Sequence, residues 1–150
     1  MRLADILIEE AIKVEMASDE KEEAFAELIE LLVRAERVAD RSAAFNAIQT
    51  RENMGTTGIG KGIAIPHGKD RSITKLTAAL GISSKGIEYD AIDGQPVNLV
   101  FMVLAEANNP GPHVQCLAEI ARLLQVPGFH KRLVEARSRR EVLGIIRAEE

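Results

Sequence analysis

Cysteine is almost missing from the 150-residue chain: Cys116 stands alone, so neither an intrachain disulfide nor a cysteine-based zinc cluster can form. That usage fits a reducing compartment. Aromatic residues make up only 3%, with no Trp and a single Tyr, which leaves almost nothing from which to build a stacking platform for single-stranded bases. Long apolar runs are also lacking. The longest, Leu99 to Ala105, falls far short of the roughly 20 residues that a membrane-spanning helix needs. The opening Met1-Arg2-Leu3-Ala4-Asp5 has no basic-then-apolar pattern of a secretory signal. Nor is there a strong charge of one sign. The 19 Lys+Arg and 23 Asp+Glu give a net −4, too mild for a broad attraction to nucleic acid or anionic lipid. The acidity is concentrated in residues 1–50, with 6 basic and 12 acidic side chains, as expected of solvated helix faces. A cytoplasmic protein with no nucleic-acid partner and no membrane insertion is expected.

No repeat and no Ser-, Gln- or Pro-rich linker interrupts the chain, so residues 1–150 read as one domain. At this length folding can bury roughly 70% of the open chain's surface, enough for a core without staples. Ile12 and Val14 alternate with Lys13 and Glu15 as in a short half-buried strand. A helix follows, with Asp19 as its cap, Glu22 three residues on, and Phe25, Leu28, Ile29 and Leu32 on one face. A second helix is predicted from about Asp40 to Glu52. Strands are predicted at Ile63–Ile65, Leu76–Ile82 and Val97–Leu104, the last apolar enough for the middle of a covered sheet, with Asp93-Gly94 turning the chain before it. Asn108-Asn109-Pro110-Gly111-Pro112 then opens a helix whose Leu117, Ile120, Leu123 and Leu124 share a face. Pro127-Gly128 stops it, a short helix spans about Phe129 to Ala136, and Ser138 with Glu141 boxes the start of the last. This order argues for an α/β fold: a mixed β-sheet flanked by helices.

Five glycines crowd residues 55–68. Gly55, Gly60 and Lys61 meet most of a phosphate-binding P-loop pattern, but Gly62 stands where Ser or Thr would ligate magnesium, and a strand follows instead of a helix. The dinucleotide fingerprint fails too, because Gly58-Ile59-Gly60 lacks the third glycine at the required offset. What remains is Pro66-His67-Gly68 at the end of a short strand, where proline fixes the backbone and glycine leaves the ring open. A neutral imidazole near pH 7 is a nucleophile that can take a phosphoryl group into a labile P–N bond. The bland alternative is a loop histidine bonded to its own turn.

Two other residues fit the chemistry. His113, at a helix start, would have its charged form disfavoured by the helix dipole and could donate a hydrogen bond to a phosphoryl oxygen. Arg51, just before the glycine loop, offers a planar charge that matches phosphate oxygens, although a helix-end arginine often serves only its own terminus. One nucleophilic imidazole, one hydrogen-bonding imidazole and one guanidinium suffice for phosphoryl transfer by positioning and charge stabilisation. Cys116, one turn beyond His113, reads as core, and His130 beside Lys131 and Arg132 reads as exposed. Without local ligand spacing, a zinc site from His67, His113 and Cys116 is disfavoured, so no metal is expected.

The run Arg51-Glu52-Asn53-Met54-Gly55-Thr56-Thr57-Gly58-Ile59-Gly60-Lys61-Gly62-Ile63-Ala64-Ile65-Pro66-His67-Gly68 resembles the active-site signature of enzyme IIA domains of the phosphoenolpyruvate-dependent phosphotransferase system, in the fructose/mannitol/nitrogen-regulatory (type-2) branch. The likeness extends to Pro112-His113 ahead of a leucine-rich helix. It implies a phosphotransferase/anion-transport-protein-like α/β sandwich with a mixed sheet and no cofactor. It also implies that His67 is the phosphoryl acceptor, that His113 steadies the phosphoryl group, that Arg51 stabilises charge, and that Thr57 and Gly58 line the site less directly. The implied donor is an HPr/NPr-type phosphohistidine carrier protein; the implied acceptor is a IIB domain or a regulatory target. Lys61 departs from the smaller or polar residue common there. The glycine signature resembles the nitrogen-regulatory type most, and no IIB or membrane part is apparent, so a regulatory role is favoured over sugar uptake.

Overall fold

The computed structural model describes residues 1–150 and has a six-stranded mixed sheet with five helices packed on it. The strands are β1 (Leu7–Val14), β2 (Gly58–Gly60), β3 (Ile63–Ala64), β4 (His67–Asp70), β5 (Thr77–Ile87) and β6 (Val97–Glu106). The helices are α1 (Lys21–Arg34), α2 (Arg41–Glu52), α3 (Pro110–Leu124), α4 (Phe129–Glu135) and α5 (Arg139–Ala148). The order across the sheet is β1-β5-β6-β3-β2, with β4 also on β6.

The nearly unbroken apolar run of β6 sets this arrangement. Leu99 to Ala105 are all buried, as a strand covered on both faces requires. β5 pairs with it antiparallel, from Thr77 opposite Leu104 to Ile82 opposite Leu99. On its other edge lie β3 and β4, both parallel to it, with Ile63 opposite Leu99 and His67 opposite Val103. They are two pieces of one interrupted strand. Pro66 sits in the break, where its lack of an N–H costs nothing, and its carbonyl still accepts from Val103 N at 3.0 Å. α1 and α2 pack on each other, α1 against β1 and β5 and α2 against β4; α3, α4 and α5 form a second group against β6, β5 and β1. One cluster of 41 buried residues joins the layers.

Several boundaries differ from the sequence expectation, each for a local reason. α1 begins after Glu20, not Asp19, and Glu23 rather than Glu22 reaches back to the Glu20 N–H, at 3.1 Å. Asp19 and Lys21 are held by backbone bonds to Glu88, which delay the helix by a residue. β1 starts at Leu7, its exposed Glu9 and Glu10 having hidden the strand, and β5 runs on through the polar Ser83–Gly86 by way of a bulge. β2 and β4, rich in glycine and polar residues, lack a hydrophobic pattern altogether. His67 therefore opens a strand of its own instead of ending the one before. α2 runs over nearly the residues expected, and Asp40, which opens the predicted span, is its cap through Ala43 N. At α5, Ser138 accepts from Glu141 N, but the Glu141 carboxylate turns to Arg137 N, so the box is only half closed.

Candidate functional site

The site begins with a close approach that only glycine permits. β4 runs so near α2 that a Cβ on Gly68 would lie 2.8 Å from the backbone carbon and oxygen of Ala47. This contact brings His67 beside the last turns of α2, which carry Thr50 and Arg51. From the other side, the start of α3 supplies Pro110, His113 and Val114. Together these elements enclose an open cleft of about 730 Å³, lined among others by Arg51, Met54, His67, Lys69, His113 and Val114.

His67 is half-buried, and its Nδ1 lies 2.8 Å from the Ile65 carbonyl oxygen. A carbonyl can only accept, so Nδ1 carries the proton and the lone pair of the neutral ring resides on Nε2. Nε2 makes no protein hydrogen bond and remains accessible. The loop-histidine alternative and the nucleophile thus coincide: the bond to its own turn is what selects the reactive nitrogen.

The His113 ring stands edge-on to that of His67, with centroids 5.6 Å apart and planes at 69°. Its Nε2 is buried without a hydrogen-bond partner. Burial, above all, and then repulsion that the neighbouring His67 and Lys69 would exert on a charged ring hold His113 below the ordinary imidazole value, so the neutral ring prevails at pH 7. The direction matches the sequence expectation; desolvation, rather than the helix dipole, is the leading cause. Arg51 lines the cleft and donates from Nη1 to the Gly55 carbonyl at 2.9 Å, so it serves its helix end and faces the site at once. Two exposed apolar side chains, Met54 and Val114, rim the opening.

A family model described as "Phosphoenolpyruvate-dependent sugar phosphotransferase system, EIIA 2" matches residues 5–149. The chain belongs to this family. The fructose-specific EIIA component of Haloferax volcanii is 39% identical over 137 residues, covering 91% of this chain and 89% of that protein. The fructose-specific EIIABC component of Bacillus subtilis is 38% identical over 146 residues, 97% of this chain, and the chain spans only 23% of its length. Among solved structures, the nitrogen regulatory protein IIA-Ntr from Neisseria meningitidis superposes with a TM-score of 0.88 at 31% identity, covering 96% of this chain and 98% of that one.

Within this EIIA chain, Thr57 and Gly58 are buried and are not among the residues that line the cleft. Thr57 is buried, its N–H bonded to Glu52 at 2.9 Å and its hydroxyl to Glu52 and to Tyr89. A Cβ on Gly58 would meet that of Ala91 at 2.7 Å, so the residue is there for packing. Cys116 is wholly buried, its thiol pushed up to about 12 by burial and by the Glu119 and Glu150 carboxylates. His130 is not exposed as expected: it is half-buried, its Nε2 enclosed close to Gly62. Sequence reasoning missed Lys69, which follows His67 by two residues on a strand and so shares its face, a period-2 signal concealed because β4 was not recognised.

Proposed function

We propose that this chain is a histidine phosphocarrier, a transferase of the phosphotransferase system that accepts a phosphoryl group on Nε2 of His67 from an HPr/NPr-type phosphohistidine protein. The observation that carries this is the 2.8 Å bond from His67 Nδ1 to the Ile65 carbonyl, which leaves Nε2 unprotonated and facing an open cleft. In the transfer, the Nε2 lone pair attacks phosphorus opposite the donor imidazole; the new Nε2–P bond forms as the donor's P–N bond breaks, and that bond's electron pair stays on the donor ring. No proton needs to leave His67 during attack, because Nδ1 already holds it. Arg51 neutralises charge on the equatorial oxygens, and a phosphoryl oxygen supplies the partner that His113 Nε2 lacks. Thr57 and Gly58 support the site less directly.

Met54 and Val114 give the partner an apolar rim against which to exclude water. The phosphoryl group then passes to a IIB domain, or its presence alters the choice of a regulatory target. Likeness in fold to a nitrogen regulatory protein supports the regulatory role; identities of 38% and 39% to fructose-specific components favour sugar transfer as the second reading. No helix is long and apolar enough to cross a membrane, in keeping with a cytoplasmic carrier. Incubation with labelled phosphoenolpyruvate and the two general phosphotransferase proteins is expected to give an acid-labile, base-stable phosphoprotein. A His67→Ala chain that still takes up label would overturn the assignment.

A further inference from the structure

Glu52 closes α2, follows Arg51 and does not touch the cleft, yet it is the most heavily used side chain behind it. Its carboxylate accepts from the Thr57 N–H at 2.9 Å and from the Thr57 hydroxyl. The Tyr89 hydroxyl lies 2.7 Å from that of Thr57 and 3.5 Å from Glu52, and the Lys21 ammonium pairs with Glu52 at 3.5 Å while resting over the Tyr89 ring. Side-chain exposure of Glu52 is 2%. A buried ion pair often contributes no more stability than apolar residues filling the same space, so stability alone is a weak reason for a charge here.

The loop that this carboxylate holds supplies a better one. Residues 53–57 leave α2 and return to Glu52 twice: Gly55 N–H donates to its backbone carbonyl at 3.1 Å, and Thr57 N–H to its side chain. The carbonyl presented by this closed loop, that of Gly55, is the acceptor of Arg51 Nη1. We propose that Glu52 is a positioning residue for phosphoryl transfer: by pinning the loop through Thr57 it fixes the Gly55 carbonyl, which in turn aims the Arg51 guanidinium into the cleft. The proposal rests on the phosphocarrier role and extends it to a residue that never meets the phosphoryl group.

A double-mutant cycle with Arg51 tests this, using a 32P-labelled HPr-type carrier as donor and rapid-quench rates as readout. Glu52→Gln keeps the shape and removes the charge. It is expected to slow transfer by about 10- to 100-fold, the loss that a misplacement on the order of 1 Å brings, and to slow it no further once Arg51 is Ala. A merely structural role would instead add to the Arg51→Ala loss. Should Glu52→Gln fail to fold, Thr57→Val, which removes the hydroxyl's bonds to Glu52 and Tyr89 and keeps the N–H bond to Glu52, is expected to show a smaller loss with the same dependence on Arg51. Additive losses, an unchanged rate in the variant, or an Arg51→Ala chain as fast as the parent would each refute the positioning role. Labelling of the parent chain and its loss in His67→Ala report separately on the phosphocarrier role.

Discussion

Gly68→Ala adds one methyl group where the site has least room. The new Cβ would stand 2.8 Å from two backbone atoms of Ala47 and 3.1 Å from its Cβ, whereas ordinary contact begins at 3.4 Å. Backbone in the middle of α2 cannot swing aside as a side chain does, so helix and strand must separate by about 0.6 Å, an overpacking strain of about 1–3 kcal/mol. For a domain of this size each kcal/mol lowers Tm by about 2–4 °C, so thermal denaturation is expected to shift down by about 2–12 °C. Because α2 carries Arg51 and β4 carries His67, the same separation spoils their convergence. Transfer from the labelled carrier should fall by about tenfold or more even at temperatures where the variant is fully folded. Gly144→Ala is the matched control. This glycine lies exposed in α5 with nothing within 4 Å of its added Cβ, and the substitution should stabilise by about 0.5–1 kcal/mol without touching the rate. A Gly68→Ala chain with the parent's Tm and transfer rate would refute the close-approach reasoning.

Folding stability should depend on pH through His113 and His130, both held below the ordinary value of 6.5, chiefly by burial. Between that value in the unfolded chain and the lower folded ones, the unfolded state binds more protons, so stability falls as pH drops through this window and levels off below it. His130→Asn should flatten the slope measured by urea titration at stepped pH, and an unchanged slope would contradict the burial of that ring. Arg51→Ala should keep the parent's Tm but lose about 10²-fold in transfer rate, as for removal of one preorganised charge donor; an unchanged rate would remove its role. The Cys116 thiol, wholly buried and pushed up to about 12, should be inert to a disulfide reagent at pH 8 until the chain unfolds, and rapid labelling of the native protein would show the burial to be wrong.

The parts of this fold that a sequence reveals are those whose side chains carry a period or a cap. Leu99–Ala105 announced the central strand, Asp40 the start of α2, and Pro110 the start of α3. β4 was illegible for the opposite reason: His67-Gly68-Lys69-Asp70 has no apolar alternation, and pairing with β6, together with the clearance at Gly68, makes it a strand. Tertiary context supplied the pattern that local sequence lacked. At the site, Arg51, His67 and His113 could be named because together they suffice for phosphoryl transfer and stand in stretches that resemble a known signature, and the fold gathers all three around one cleft. Thr57 stood in the same signature but turns inward, to Glu52 five residues before it and to Tyr89 far along the chain, and a polar residue in a glycine-rich loop carries no local sign of such burial. Glu52 itself passed unremarked because a glutamate at a helix end looks like ordinary surface until its burial is known.

With Nδ1 of His67 committed to the Ile65 carbonyl, we propose that phosphorus bonds to Nε2. Phosphorylating the 15N-histidine-labelled chain and recording long-range ring spectra with 31P coupling locates the bond directly. Coupling of phosphorus to Nε2 of His67, with Nδ1 still protonated, is the result expected; phosphorus on Nδ1, on another residue, or nowhere would contradict the account.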